Sequence, residues 1–463
     1  MNVGYMANEV DSSSELVPYA SDQGSPRSTK LTASYRSQTR KSLNHNRVIK
    51  KRRYKSEQSR LESSLNRVIK PCCLRDPANP DADGPCLRCT RDLLRISRLP
   101  CLRYKVTDSH LYRTAFYHYP FFRKHLMVGP TFGDFHVSRE WTPREVRVLD
   151  LAQDSNVVLR LAVREFVPSL EELTSDDTRG NKMYSIPWAI EDAKEATEEA
   201  HRYLSRCVKG YLEAILDDSN HLVYDIFDWA VRLSTFPEPN ILLYDVLRLW
   251  VACRFLEGRW RCVGSNTFDT KKLSHYYGAE RIDQAPPFIN YQLAALITER
   301  VLEPLRITVL RRLENLMLAN KKENWFTITL IVFILLHNYE LQCGFHRDFA
   351  RRRNFLVRFV EMPVICAIHA GAKTILAHFH YACKGQHPFS PDHNWNTDEA
   401  KRIAHLDDEK IAFLKEYRLR IQNEDQIQSV SRTDNYEKPY YFVGQMFDHD
   451  WEPRDTNEKL MPV

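Results

Sequence analysis

Five of the eleven cysteines lie between residues 72 and 101. This stretch is polar, basic and interrupted by prolines, and it has no apolar periodicity that would bury a thiol in a core. Two residues separate Cys86 from Cys89, and eleven more separate Cys89 from Cys101. Because Zn²⁺ takes four thiolates in a tetrahedron, this spacing predicts a zinc site. The candidate ligands are Cys72, Cys73, Cys86, Cys89 and Cys101.

The motif GPCLRC, followed by RLPCLRYKVTD, resembles the second half of the fungal binuclear zinc-cluster DNA-binding domain. The six cysteines of that family run as CxxC, six residues, C, a loop, CxxC, a second loop and C. Here Cys72 or Cys73 matches the third cysteine, and Cys86, Cys89 and Cys101 match the rest. The first CxxC is missing, since its positions hold Glu62 and Leu65, or Ser63 and Asn66.

The missing CxxC affects how many zinc ions can bind, because in the family one of its cysteines bridges both ions. The residues present therefore favour a single zinc ion over a full two-zinc cluster. A metal-free remnant and an error in the amino-terminal gene model stay open as alternatives.

The resemblance also implies how DNA would be bound. Basic residues between the second and third cysteines lie, in the family, on a short helix that enters the major groove. Arg67 and Lys70 occupy that interval and are the candidates for reading base edges. Arg88, Arg91, Arg95 and Arg98 are candidates for phosphate contacts.

A separate basic cluster precedes the cysteines. Clusters of this kind bind nuclear import receptors or phosphates, although most are solvated charge runs. Its position directly before the cysteines favours import or DNA contact. Its members are Lys50, Lys51, Arg52, Arg53 and Lys55.

The charge is divided unevenly along the chain. Residues 1–113 hold 22 Lys and Arg against 11 Asp and Glu, whereas residues 114–463 hold 44 against 49. The basic end predicts a polyanionic partner, which the resemblance identifies as double-stranded DNA.

The other six cysteines stand singly among apolar neighbours, and we recognise no signal peptide, so we expect the protein to work in a reducing compartment. The resemblance to the family implies that this compartment is the nucleus.

The fold predicted from these patterns is mainly α-helical. Residues 1–60 are polar, basic and Ser-rich and are predicted to be disordered. Residues 61–113 form the small cysteine-rich module and 114–140 an aromatic connector. No heptads follow the cysteines, so no coiled-coil dimer is expected. Residues 141–455 form a helical body with one β-hairpin near its start, and 456–463 a tail.

Periodicity locates the elements of this body. Alternating apolar residues around Asp154 predict two strands and a turn within 145–167, and the polar stretch beyond them predicts an exposed loop. Apolar residues at helical spacing fill 187–217, 220–236, 241–258, 288–319, 324–352, 357–384 and 399–425. The run Phe326–Leu336 is too short to cross a bilayer, which needs ~20 residues, and predicts a core helix; no membrane partner is expected.

Whole segments of the body carry the resemblance further. VREFVP, SIPWAIEDA, LRLWVACRF, PPFINYQL, FVEMPVICAIHAGAKTILAHFHY and YYFVGQMFDHDWEP look like the helical body behind this zinc-cluster variant in fungal regulators. The resemblance covers roughly residues 72–455 and implies a regulatory body.

Other chemistry finds little support. His378, His380, Cys383 and His387 form a possible metal group, but residues two apart face different sides of a helix, which favours packing. No G-x-S-x-G, H-E-x-x-H or P-loop motif occurs, so no enzyme is predicted.

The leading hypothesis is a DNA-binding transcription regulator. The alternatives are a helical interaction protein that has lost zinc and sequence-specific DNA binding and, more distantly, an unrecognised helical enzyme.

Overall fold

The computed structural model describes most of the chain beyond residue 140 and one short segment before it. These residues all belong to one compact unit, Gln58–Val463. The described residues are 105–113, 141–153, 155, 157–167, 174–176, 182–184, 187–235, 237–264, 285–352, 354, 356–383, 394–397, 401–402, 404–424, 427, 439–448 and 451.

A four-stranded antiparallel sheet opens the body. The strands of the body are β1 Arg147–Ala152, β2 Leu159–Glu165, β3 Thr174–Asp176, β4 Lys182–Tyr184, β5 Trp188–Ile190 and β6 Arg261–Cys262. The order within the four-stranded sheet is β5-β2-β1-β6, and a separate pair is formed by β3 and β4.

The alternation of residues along β1 and β2 determines which face of the sheet is buried. Leu149 pairs with Leu161 and Leu151 with Leu159, and all four side chains are buried. The opposite face carries the cross-strand ion pair of Arg160 and Asp150, 3.2 Å apart. The sheet therefore packs one apolar face on the helices, and its other face, which also carries the exposed Val148, is turned to solvent.

Helices make up the rest of the body. They are α1 Ala193–Ile215, α2 His221–Thr235, α3 Ile241–Phe255, α4 Pro287–Leu296, α5 Glu303–Ala319, α6 Trp325–Arg352, α7 Met362–Cys383, α8 Asp408–Asn423 and the short α9 Tyr441–Gly444. A π-helical stretch, Ile297–Leu302, joins α4 to α5, and 3₁₀ turns cover Val106–Asp108, Lys322–Asn324 and Gln445–Phe447.

Local sequence signals explain where several helices begin. The side chains of Asp192, Asn240 and Asp407 accept hydrogen bonds from the first free backbone amides of α1, α3 and α8. Each replaces the partner that a helical amide lacks at the amino terminus. Pro287 is the first residue of α4, where its missing N–H costs nothing.

Helix α6 is the centre of the core. It contacts α2, α3, α7 and α9, and its residues Ile328 to Leu336 are buried. The stretches Lys322–Arg352 and Met362–His380 are each long and apolar enough to cross a membrane, yet 72% and 67% of their most apolar windows are buried inside the fold. This burial is typical of core helices in a globular body.

The mainly α-helical fold class and the hairpin are confirmed. Three strand pairings were missed: β5 with β2 and β6 with β1, which extend the hairpin into a sheet, and β3 with β4, which lies where a loop was expected. The predicted helix 187–217 begins later, because Trp188–Ile190 pairs with β2. The helix predicted over 357–384 begins later, at Met362. The one predicted over 399–425 is interrupted: residues 401, 402 and 404 are helical, His405 has a positive φ of 50°, and α8 begins at Asp408.

Candidate functional site

The residues predicted to bind zinc and DNA lie outside the described part of the chain, so their assignment stays a prediction. They are Cys72, Cys73, Cys86, Cys89, Cys101, Lys50, Lys51, Arg52, Arg53, Lys55, Arg67, Lys70, Arg88, Arg91, Arg95 and Arg98.

The segment that follows them is buried in the helical body. Only three residues separate Cys101 from Lys105, and residues 105–113, here called the docked segment, pack against α5, α6 and α7. Val106 and Leu111 are fully buried, and Tyr112 and Arg113 nearly so. The docked segment is thus a part of the core rather than a chain lying on its surface.

Side chains of α6 satisfy the backbone of the docked segment. Asn338 Nδ2 and Gln342 Nε2 each donate to the Leu111 carbonyl oxygen, both at 2.6 Å. The Tyr339 hydroxyl donates to the His110 carbonyl oxygen. Buried carbonyl groups need such partners, and side chains placed to supply them define where the segment lies.

A charged group on α5 holds the other end. Arg306 Nη1 donates to the carbonyl oxygens of Thr107 and Ser109 at 2.9 and 3.3 Å. The same guanidinium forms a two-pronged pair with Glu303, which also accepts a hydrogen bond from the Tyr112 hydroxyl. These bonds to Arg306 hold the pKa of Glu303 below its usual range.

The sequence gives no sign of this docking. Residues 105–113 were grouped with the small cysteine-rich module, yet Val106, Leu111 and Tyr112 are buried in the core of the body. The reason is physical: a segment of nine residues carries too few apolar positions to show a period. Its fixed position depends on side chains of α5 and α6, roughly two hundred residues later in the chain.

Arg254 connects Asn338, and through it the docked segment, to a cleft beside α6. Its Nη2 donates to Asn338 Oδ1 at 2.7 Å and to Glu257 Oε1 at 2.8 Å. Asn338 therefore bonds the docked segment through one end of its amide and Arg254 through the other. The guanidinium also lies over the Trp250 ring, 5.2 Å from its centroid.

The cleft has a volume of about 830 Å³ and is bordered by α6, the end of α3 and Pro439, two residues before α9. Its apolar walls include Ile215, Leu341, Phe345 and Phe359, and its charged and polar residues are Arg254, Glu257, His337, Glu340, Arg347, Asp348, Arg351 and Arg352.

Burial controls the protonation of two groups in the cleft. Desolvation raises the pKa of Glu340 to about 7, although its Oε1 accepts hydrogen bonds from the Phe442 and Val443 amides at 3.0 Å. Desolvation lowers the pKa of His337 to about 3, so its ring is neutral at physiological pH. The ring stacks on Trp250 with a centroid distance of 6.0 Å.

The histidine cluster of α7 packs as expected where it is described. His378 Nδ1 donates to the Thr374 carbonyl at 2.8 Å. His380 Nε2 donates to the Gln445 carbonyl at 2.9 Å, and its ring stacks on Trp451. No group of three or more potential metal ligands occurs among the described residues. The Cys383 side chain and His387 lie outside them.

Sequence reasoning missed the residues that join the docked segment to the cleft. The usable signal was a set of polar residues in otherwise apolar helices: His337, Asn338 and Gln342 in α6 and Arg254 at the end of α3. A buried polar residue needs a partner, but periodicity does not say which one.

Comparisons with known proteins agree with the regulatory reading of the body. Neither the curated proteins nor the solved structures gave a match. One family, described as the KpeA transcription factor, matches residues 133–446, which includes the sheet and almost all of the helical body. The cysteine-rich stretch lies outside that match, so its zinc-cluster character stays a prediction. The chain belongs to the KpeA transcription factor family.

Proposed function

We propose that this transcription regulator binds double-stranded DNA through its basic cysteine-rich end and that the helical body controls this binding. Family membership supports transcription regulation and points away from an enzyme. The observation that carries the finer proposal is the docked segment. It begins four residues after Cys101 and is held by α5 and α6, so the candidate DNA-binding residues are tethered directly to the body.

Zinc is the metal that the donor set fits. Five thiols supply the four ligands of one tetrahedral ion with one to spare, and they are too few for the six-cysteine cluster of two ions. Cys86, Cys89 and Cys101, with Cys72 or Cys73, would hold it. A bound ion would supply folding free energy to this small module.

The basic residues divide into two roles under this proposal. Arg67 and Lys70 read base edges, whereas Arg88, Arg91, Arg95 and Arg98 neutralise phosphates. The cluster Lys50, Lys51, Arg52, Arg53 and Lys55 adds phosphate contacts or directs nuclear import, which places the protein in the nucleus.

Metal content and DNA affinity of the full chain test the proposal. Native mass spectrometry should find one zinc ion per chain, lost in Cys86→Ser/Cys89→Ser and kept in the control Cys366→Ser, which changes an exposed cysteine of the body. DNA affinity should fall with salt by a slope of ~−0.9 per neutralised phosphate. Zinc unaffected by the double change, or no DNA binding at low salt, would contradict the proposal and favour an interaction protein.

A further inference from the structure

The strongest unassigned feature is the cleft beside α6. Its volume of about 830 Å³ lies within the range of ~300–1,000 Å³ typical of small-molecule sites. Such sites combine apolar walls with a few placed polar groups, and this cleft has Ile215, Leu341, Phe345 and Phe359 beside the charged residues. The apolar walls favour an organic molecule over an inorganic ion.

Two polar side chains that line the cleft have buried atoms without a hydrogen-bond partner in the described part of the chain. Arg254 is 4% exposed, and within the described residues its Nε and Nη1 have no hydrogen-bond partner. The same is true of His337 Nδ1. A buried guanidinium with unused donors is costly, so a partner that accepts hydrogen bonds would stabilise it.

The charge of the lining indicates the sign of that partner. Four of the lining residues are arginines, and three carry carboxyl groups. Burial keeps one of the three, Glu340, partly protonated near neutral pH. Since Arg347, Arg351 and Arg352 stand together at the end of α6, an anion entering the cleft is attracted rather than repelled.

We propose that the cleft binds a small organic carboxylate, with its acid group toward Arg254 and its hydrocarbon part against the apolar walls. Guanidinium and carboxylate are matched in shape and charge, which makes a carboxylate the best-fitting acid. This inference rests on the proposed function for its biological meaning: the ligand would be a signal that the body reads.

The path from the ligand to the DNA-binding end runs through one amide. A carboxylate at Arg254 fixes the guanidinium, which donates to Asn338, and Asn338 donates to the Leu111 carbonyl of the docked segment. Binding therefore stabilises the docked segment.

Calorimetry with the full chain tests the site, using 2-naphthoate and its neutral counterpart 2-naphthamide. We expect naphthoate to bind at least about tenfold more tightly, because only it offers a carboxylate to Arg254. Arg254→Gln should remove this preference. Since a buried variant risks misfolding, Arg351→Gln at the edge of the cleft should weaken naphthoate binding, whereas Arg312→Gln, whose partner is Asp245 on α3, should not.

Hydrogen exchange of residues 105–113 should slow when naphthoate binds and stay unchanged with naphthamide. Failure of both compounds to bind, equal binding of the two, or full naphthoate affinity in Arg351→Gln overturns the site. Binding with unaltered exchange overturns the coupling. These measurements use no DNA, so their failure is distinct from a failure of the chain to bind DNA.

Discussion

Asn338 and Leu111 are joined by a buried hydrogen bond of 2.6 Å between the side-chain amide of one and the backbone carbonyl of the other. The two residues lie 227 positions apart in the chain. This bond fixes the segment that follows the cysteines, and the remaining oxygen of the same amide accepts from Arg254. Asn338 therefore hydrogen-bonds both to Arg254, which lines the cleft, and to the docked segment.

Asn338→Leu should destabilise the protein strongly. The change leaves the Leu111 carbonyl with fewer donors and Arg254 without one acceptor, and a buried polar group left unpaired costs ~1–3 kcal/mol. Urea unfolding of the two chains measures the difference. The control Asn423→Leu, at the exposed end of α8, should change stability by less than about 0.5 kcal/mol. Equal effects of the two changes would show that Asn338 does not hold the segment.

Gly371→Ala should loosen the docked segment from the α7 side. A Cβ at this position would contact the Tyr339 hydroxyl and would lie 3.2 Å from the His110 carbonyl oxygen. Such overpacking costs ~1–3 kcal/mol. The double variant Gly371→Ala/Tyr339→Phe removes the hydroxyl that clashes, so its loss of stability should be smaller than the sum of the two single losses. Additive losses would mean that the two residues do not meet.

The stability of Glu340→Gln relative to the natural chain should depend on pH. Burial raises the pKa of Glu340 to about 7, so the folded state favours the neutral acid, while the unfolded chain ionises near the ordinary value of 4.5. The free energy of unfolding that the neutral Glu340 side chain contributes is fully present below pH ~4.5 and is lost as the pH rises through 7. Glutamine stays neutral throughout.

We therefore expect Glu340→Gln to gain stability relative to the natural chain between pH 5 and pH 8, at about 1.4 kcal/mol for each unit of pKa shift. Urea unfolding at the two pH values measures the gain. The exposed control Glu213→Gln should show no comparable change. A stability difference for Glu340→Gln that does not vary with pH would contradict the burial of this carboxyl group.

A chain that begins at residue 114 should unfold at a lower temperature than one that begins at residue 105. The shorter chain leaves Asn338, Gln342 and Arg306 without the carbonyl groups that they bind. It also exposes the surfaces that cover Val106 and Leu111, each worth ~1.5–3 kcal/mol. Identical thermal transitions for the two chains would show that the body does not need the segment.

The periodic parts of this fold are predictable from sequence, and the contacts that make its candidate site are not. The apolar alternation of β1 and β2 and the long apolar periods of α2, α3 and α6 predict those elements, because apolar residues recur many times at strand or helix spacing. Strands of two or three residues, such as Trp188–Ile190 and Arg261–Cys262, are too short to show an alternation, and they form only because a neighbouring strand pairs with them. The same holds for the side chains of Asn338 and Arg254: the sequence shows that they are polar residues in apolar helices, but it does not show which residues they bind.

Hydrogen exchange of the intact, unliganded protein tests the central claim, that residues 105–113, which follow the cysteine-rich stretch, are anchored in the body. The amide of Val106 donates to Glu314 at 3.2 Å, and those of Asp108 and Ser109 donate within the 3₁₀ turn at 3.0 Å. Peptides covering these residues should be protected to a similar degree as peptides from α6. Exchange at the rate of an unstructured peptide, while α6 stays protected, would contradict the account.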